Sequence, residues 1–206
     1  MHILKEIARI GLVPVIKLDD PGDAVPLAEA LKAGGVPVAE ITFRTSAAEE
    51  SIRRIASEAE GILVGAGTVL TVDQVERAYR SGARFIVSPG FDPAIVTRSL
   101  ELGMSVLPGC ATPTEIMSAL RLGLMAVKFF PASVYGGLNG IKALSAAFPN
   151  LYFVPTGGVG PGNLADYLSF KPVLACGGSW MVSAKNLSET TRLCAEARAI
   201  VQDVRG

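Results

Sequence analysis

The sequence predicts an α/β protein folded as a compact (β/α)8 TIM barrel with an extra N-terminal helix. Three observations indicate this fold. The 206 residues suit one barrel at the short end of the usual range, and half of them are hydrophobic, which provides a large core. Eight short runs rich in β-branched residues alternate with helical segments, and helix-capping residues follow several of these runs. We therefore expect the range 1–206 to form one barrel domain.

The predicted strands begin about two dozen residues apart, which is close to the minimum for one strand and one crossover helix. In chain order they are LVPVIKL (12–18), VAEITF (38–43), ILVGAG (62–67), RFIVSP (84–89), MSVLPG (104–109), MAVKFF (125–130), LYFVPTG (151–157) and PVLACGG (172–178). An open doubly wound sheet is the alternative. Its GxGxxG signature does not follow the first strand, and GAGTVL (65–70) carries only the first two glycines of that pattern.

The helices are predicted by their caps. The proposed caps, each after a predicted strand, are Ser46–Glu49, Thr71–Gln74, Thr112–Glu115 and Asp92 with Pro93. The segment 3–10 is the expected extra helix, which would close the bottom of the barrel, and 188–204 is the expected last helix.

The charge balance excludes several classes of partner. Nineteen basic and nineteen acidic residues give a formal net charge of zero, which argues against binding to a nucleic-acid backbone. Lys5, Glu6 and Arg9 interrupt the apolar residues at the start, so no signal peptide is predicted. No run of about 18 apolar residues occurs, so no membrane span is predicted either. We expect a cytoplasmic protein without nucleic-acid or membrane partners.

Histidine and cysteine offer little chemistry. His2 is the only histidine and lies at the terminus, so zinc sites and imidazole-dependent triads are disfavoured. Cys110, Cys176 and Cys194 are far apart and form no CxxC pair, so they are expected to be buried, reduced thiols.

Two ionisable residues interrupt strands that should be apolar on both faces. They are Glu40 in VAEITF and Lys128 in MAVKFF. If both point inward, strands two and six bring them together from opposite walls of an eight-stranded barrel. A buried structural ion pair is the alternative. Lys17 is a rival lysine, but it lies beside Asp19 and Asp20 at a strand end, where a solvated role is expected.

A lysine among apolar neighbours has a specific chemical use. Burial disfavours the ammonium form, and a neutral amine attacks ketones and aldehydes to form a Schiff base. With a carboxylate nearby for proton transfer, the pair Lys128 and Glu40 suits cleavage or formation of a carbon–carbon bond next to a carbonyl.

The ends of other strands indicate how a substrate is held. Thr156-Gly157-Gly158 and Gly177-Gly178-Ser179 end strands seven and eight, where barrels often bind phosphate through main-chain amides. Arg44 could hold a carboxylate in a bidentate manner, unless it forms a surface salt bridge with Glu49 or Glu50. Thr68 offers a hydroxyl to the same site, unless it serves only as a loop or capping residue.

These motifs together resemble a known family, the aldolases acting on 2-dehydro-3-deoxy-6-phosphogluconate (KDPG) and 4-hydroxy-2-oxoglutarate (KHG). The matching segments, in order along nearly the whole chain, are GLVPVI, AEITFRT, GAGTVL, FIVSPGF, PGCATPTE, VKFFPA, PTGGV and GGSWMV. The resemblance implies a class I, metal-independent lyase without cofactors, usually a homotrimer. It would cleave KDPG to pyruvate and glyceraldehyde 3-phosphate, and KHG to pyruvate and glyoxylate.

The resemblance also implies roles for individual residues. Lys128 matches the Schiff-base lysine and Glu40 the general acid/base. The substrate-binding positions that match the family are Arg44 and Thr68 for the carboxylate, Pro89 for the pocket, Gly157, Gly158, Gly178 and Ser179 for the phosphate, and Thr156, which resembles the gluconate branch. No role is implied for Lys17.

Other functions fit parts of the same pattern. A metal-dependent aldolase would need two acidic ligands at strand ends, and Asp19 or Asp20 with Glu40 is the one suggestive set. An isomerase of phosphorylated metabolites would keep the phosphate loops but leave Lys128 without a task. A non-catalytic sugar-phosphate sensor would keep the pocket without turnover.

Overall fold

The structure is a computed structural model that describes residues 2–206. Its strands are β1 (Leu12–Ile16), β2 (Val38–Thr42), β3 (Leu63–Gly67), β4 (Phe85–Val87), β5 (Ser105–Leu107), β6 (Ala126–Phe129), β7 (Tyr152–Pro155) and β8 (Cys176–Gly178). Its α-helices are α1 (His2–Ile10), α2 (Ala24–Ala33), α3 (Ala48–Glu58), α4 (Val72–Arg80), α5 (Pro93–Glu101), α6 (Pro113–Arg121), α7 (Gly137–Ala147), α8 (Leu164–Ser169) and α9 (Leu187–Arg205). A 3₁₀ turn at Pro21–Asp23 precedes α2.

The strands form two parallel sheets. Six of them are hydrogen-bonded in the order β5-β4-β3-β2-β1-β8, and β6 pairs with β7 in a separate two-stranded sheet. Isolated bridges lie between the two sheets, at Gly109–Lys128 on one side and at Phe153–Val173 and Thr156–Gly177 on the other. The prediction of a closed, eight-stranded (β/α)8 TIM barrel is therefore wrong, because the regular hydrogen-bonded sheet covers only six strands and ends at β5 and β8.

Prolines at the two gaps contribute to the interruption. Strand length does not explain it, because β4 is as short as β5 and β8 and still pairs with two neighbours. Pro108 follows β5 and accepts a hydrogen bond from the Lys128 amide (2.9 Å), but a proline has no N–H to donate. Pro155 ends β7 with the same deficiency. The pattern of apolar runs predicts where the strands lie, but it does not predict which main-chain N–H donors are missing.

Helix capping follows the sequence at three of the four proposed positions. Thr112 forms a capping box with Glu115, Thr71 accepts from the Gln74 amide, and Asp92 caps the helix that begins at Pro93. The cap predicted at Ser46 is wrong. Helix α3 begins at Ala48, one residue later than a cap at Ser46 predicts, and its N-cap residue Ala47 provides no side-chain cap.

Strands β1, β2 and β3 are buried along their whole length, as expected for parallel strands covered on both faces. Because all pairs are parallel, the carboxyl ends of the strands lie at one edge, and residues that follow them share one face of the molecule. None of the helices within residues 2–206 combines the length and apolar character needed to cross a membrane.

Candidate active site

Glu40 on β2 and Lys128 on β6 meet inside the molecule. The Lys128 Nζ atom lies 3.5 Å from Glu40 Oε1, and the two residues are only 6% and 2% exposed. Within residues 2–206, Glu40 Oε1 has no hydrogen-bond partner. An ion pair of this kind is poor at stabilising a fold, because desolvation of both charges opposes their attraction. Buried, close and incompletely hydrogen-bonded, the pair is typical of a reactive site, where a carboxylate can exchange a proton with a bound substrate.

Strand pairing fixes the position of Lys128. Its amide donates to Pro108 O and its carbonyl accepts from Cys110 N, each at 2.9 Å. On the other side of β6, Lys128 is paired with Val154 of the parallel strand β7. The ring centroid of Phe130 lies 5.0 Å from Nζ, within the range of a cation–π contact. The amine is therefore held by its own strand on one side and by an aromatic ring on another, facing Glu40.

Our interpretation of the sequence missed a third residue at this point, Gly67 at the end of β3. A Cβ atom built on Gly67 would lie 2.2 Å from Glu40 Oε1. The carboxylate therefore occupies space that the side chain of any other residue would take. A signal was present, because a glycine inside a strand often marks the close approach of another group.

Arg44 and Thr68 lie together beyond the ends of β2 and β3. The Arg44 Nε atom donates to Thr68 Oγ1 at 3.4 Å. Glu49 and Glu50, the alternative partners of Arg44, pair with other arginines instead. Within residues 2–206, Arg44 forms no salt bridge, so its guanidinium is available to an anionic ligand.

The backbone at Thr68 is strained. Thr68 has a φ of 54°, which makes it the one non-glycine residue with a positive φ among residues 2–206. This left-handed conformation costs an L-residue about 1–2 kcal/mol, and a β-branched side chain is a genuine outlier there. Such strain persists where the surrounding structure enforces it, and it clusters at functional sites.

Pro89 borders the same region through a glycine. A Cβ atom on Gly109 would lie 2.0 Å from the Pro89 carbonyl oxygen, so these two segments touch through their main chains. Gly109 is in turn bridged to Lys128. Only the segment that contains Gly109 therefore separates Pro89 from β6, the strand of Lys128.

The loop after β7 presents main-chain groups. Thr156 is buried, and its amide donates to Phe129 O at 3.0 Å, which ties the loop to β6. Gly157 and Gly158 follow with φ values of 90° and 80°, a conformation that favours glycine. Within residues 2–206, neither of their amides donates a hydrogen bond, so both are free for an anion.

The loop after β8 lies beside it. Thr156 is bridged to Gly177, which brings the two loops together. Gly178 ends β8, and a Cβ atom there would lie 1.9 Å from Cζ3 of Trp180, so the indole ring packs directly on this glycine. Ser179 is exposed between them. The predicted phosphate-binding residues therefore lie at the ends of the adjacent strands β7 and β8 and in the loops that follow them.

The remaining ionisable candidates lie elsewhere. Lys17 is exposed and forms a 2.7 Å ion pair with Asp19, while Asp20 accepts from the Gly22 amide at the start of the 3₁₀ turn. These carboxylates are engaged at the surface and do not join Glu40. In the part of the chain that the structure describes, no three histidine, cysteine or acidic side chains are grouped so that they could hold a metal ion.

The cysteines are buried and free, as predicted. Burial raises the pKa of the Cys110, Cys176 and Cys194 thiols to about 12. All three are therefore protonated near neutral pH, although Cys110 lies next to the Lys128 main chain. Because the thiolate is the nucleophilic form, none of these cysteines is suited to act as a nucleophile near neutral pH.

Comparisons with known proteins agree with this arrangement. Residues 3–194 match the family model described as KDPG and KHG aldolase. The chain is 46% identical to a 2-dehydro-3-deoxy-phosphogluconate aldolase of Treponema pallidum (strain Nichols), over 97% of both chains. It superposes on the 2-keto-3-deoxy-6-phosphogluconate aldolase of Zymomonas mobilis ZM4, solved with 3-phosphoglycerate, with a TM-score of 0.92, 38% identity and 97% of both chains covered.

A second similar structure is the KDPG aldolase of Legionella pneumophila, which contains pyruvate captured at low pH as a covalent carbinolamine intermediate. The TM-score is 0.86, with 34% identity and 98% of each chain covered. The family match spans most of the chain, and these relatives are similar over nearly their whole lengths. The chain belongs to the KDPG and KHG aldolase family.

Proposed function

We propose that this protein is a class I aldolase that cleaves KDPG to pyruvate and glyceraldehyde 3-phosphate, and KHG to pyruvate and glyoxylate. The observation that carries the proposal is the buried pair of Lys128 Nζ and Glu40 Oε1, 3.5 Å apart, in a member of this family. An isomerase or a sugar-phosphate sensor would give this costly pair no task.

The reaction begins at Lys128. Its neutral amine attacks the C2 ketone to give a carbinolamine, and loss of water leaves an iminium ion. The carbinolamine captured in the Legionella relative supports this first step.

Carbon–carbon cleavage then depends on Glu40. Its carboxylate, directly or through a water molecule, removes the proton of the C4 hydroxyl, and the C3–C4 bond breaks as C4 becomes an aldehyde carbon. The bonding electrons pass to the iminium nitrogen, which leaves an enamine on Lys128. Protonation of the enamine at C3 regenerates the iminium, and water hydrolyses it to release pyruvate.

The other predicted residues bind the two ends of the substrate. Arg44 and Thr68 hold the carboxylate, with Pro89 as part of the wall around the pyruvate portion. The amides of Gly157 and Gly158, together with Gly178 and Ser179, bind the phosphate, and Thr156 positions the β7 loop. The partners are therefore a small 2-keto acid and a phosphorylated aldehyde, with no cofactor required.

The protein would act as a homotrimer in the cytoplasm. Large apolar side chains remain exposed on α4, α5 and α6 at Tyr79, Leu100, Met117 and Leu120, which a subunit interface would cover. Three buried free thiols suit a reducing compartment. Light scattering of the purified protein tests the assembly, and a mass other than three chains contradicts it.

Borohydride reduction with pyruvate and EDTA, followed by intact mass and peptide mapping, tests the reaction. We expect a reduced pyruvyl adduct on Lys128 and unchanged turnover in EDTA. Active, folded protein without an adduct would contradict the imine mechanism and would favour a metal-dependent aldolase.

A further inference from the structure

The glycine at position 67 has a contact that the family resemblance does not assign. The three nearest heavy atoms to a Cβ atom built there all belong to Glu40: Oε1 at 2.2 Å, Cγ at 2.6 Å and Cδ at 2.8 Å. Real Cβ atoms essentially never approach other heavy atoms this closely. An alanine at this position and the present position of the Glu40 carboxylate therefore exclude each other.

The backbone at Gly67 does not itself require glycine. Its φ lies outside the left-handed region, and it pairs regularly with Thr42 across β2 and β3. The Gly67 carbonyl accepts from the Phe43 amide at 2.8 Å, as an ordinary strand residue would. Glycine is needed here for the space beside Cα and not for conformational freedom, unlike Gly157 and Gly158.

We infer that Gly67 is a positioning residue for catalysis, because the missing side chain provides the space in which the Glu40 carboxylate faces Lys128. The carboxylate can reach this space because it is the far end of a flexible side chain. For the same reason, a methyl group at position 67 would displace the carboxylate more readily than it would disrupt the strand. This inference rests on the proposed function, since it assigns Gly67 a role through the proposed acid/base.

A second glycine of β3 provides a contrast. A Cβ atom on Gly65 would lie 2.4 Å from the ring of Phe85, and its three nearest heavy atoms are all in that ring. Phe85 is fully buried and cannot move away at low cost. Within the same strand, Gly65 makes room for the hydrophobic core, and Gly67 makes room for a reactive group.

The test compares Gly67→Ala with Gly162→Ala, for which an added Cβ meets no atom within 4 Å and the φ is not left-handed. We expect Gly67→Ala to lower kcat by about 10²-fold, the lower range for the loss of a positioned acid/base. We expect KM to change by less than about threefold, because the groups proposed to bind the substrate stay in place. Gly162→Ala should keep both constants, and circular dichroism melting curves identify any variant that fails to fold.

A double-mutant cycle distinguishes positioning from general damage. Glu40→Gln removes the acid/base, so adding Gly67→Ala to it should lower kcat by less than about twofold further. A cycle in which the two losses multiply would overturn the inference, as would wild-type kcat in Gly67→Ala. Wild-type protein that neither turns over KDPG nor traps pyruvate on Lys128 would instead overturn the proposed function itself.

Discussion

The two ends of the candidate site use different chemical groups: side chains at one end and mainly main-chain amides at the other. We call the part proposed to bind the pyruvate portion the pyruvate end; its residues are Glu40, Lys128, Arg44, Thr68 and Pro89, and its proposed reactive groups are side chains of strand residues. We call the part proposed to bind phosphate the phosphate end; it comprises residues 156–158 and 178–179, where the ligand would meet main-chain amides and one exposed hydroxyl. Bond cleavage needs an amine and a carboxylate at fixed, buried positions, whereas an anion can be bound by any set of converging N–H groups.

The same difference appears in where each end uses glycine. At the phosphate end, Gly157 and Gly158 adopt positive φ values, so glycine supplies a conformation. At the pyruvate end, Gly67 is in an ordinary strand conformation and supplies space. A substitution by alanine therefore acts on the backbone at one end and on a neighbouring carboxylate at the other.

Removal of the nucleophile should give the largest effect. We expect Lys128→Ala and Lys128→Arg each to lower kcat/KM for both substrates by roughly 10⁴-fold or more, because neither side chain can form an imine. Borohydride trapping should yield no pyruvyl adduct in either variant. Substantial turnover by Lys128→Arg, which keeps the positive charge, would show that the lysine acts only as a cation.

Loss of the carboxylate should have the next largest effect. Glu40→Gln keeps the size of the side chain and removes its ability to accept a proton, so we expect kcat to fall by roughly 10²- to 10⁴-fold. The measurement is steady-state cleavage of KDPG and of KHG. Both substrates should lose equally, since both present their reacting carbons to the same end of the site. A loss restricted to one substrate would contradict the shared role.

A change at the other end should separate the substrates. Ser179→Ala removes one hydroxyl that would donate to phosphate, and a hydrogen bond to a charged group contributes about 1.5–3 kcal/mol, or roughly 10- to 100-fold in kcat/KM. We expect this loss for KDPG only. Gly162→Ala serves as the matched control in a loop outside the proposed contacts. Equal losses on KDPG and KHG would refute the proposed division of the site into two ends.

Local sequence signals pointed to the residues proposed for both ends. Glu40 and Lys128 stood out because charged residues interrupt runs that are otherwise apolar, and residue alternation placed each on one face of its strand without showing that this face points inward. The glycines at 157–158 and 177–178 stood out because they lie at the ends of predicted strands, where barrels often bind phosphate. Each of these signals is local in sequence.

Features that depend on space or on missing hydrogen bonds were not predictable in this way. The overlap between Gly67 and Glu40 joins residues on different strands, and no pattern within GAGTVL indicates which neighbour approaches. The regular sheet ends at β5 and β8, next to prolines that lack a main-chain N–H donor, and the periodicity of apolar residues does not reveal this loss. The cap predicted at Ser46 failed because helix α3 begins one residue later than the motif suggests, with Ala47 at the N-cap position.

The smallest effect we predict is at Thr68. Its backbone has a positive φ, the conformation that Gly157 and Gly158 adopt at the phosphate end. Thr68→Gly relieves a left-handed strain of about 1–2 kcal/mol, while the greater freedom of glycine in the unfolded chain costs about 0.4–1 kcal/mol. We therefore expect unfolding in denaturant to show a net stabilisation of roughly 0.8 kcal/mol, the difference between the midpoints of these two ranges. Activity should nevertheless fall, because the hydroxyl that accepts from Arg44 is lost.

Thr68→Ser is the matched control, because it keeps the hydroxyl and removes only the branching methyl group. It should retain most of the activity of the wild type and gain little stability, since serine still carries a Cβ atom at a φ of 54°. If Thr68→Gly were both destabilised and fully active, the strained threonine would contribute to folding and not to substrate binding. The opposite result would mean that the pyruvate end accepts backbone strain in order to hold a hydroxyl beside Arg44, whereas the phosphate end avoids the strain by using glycine.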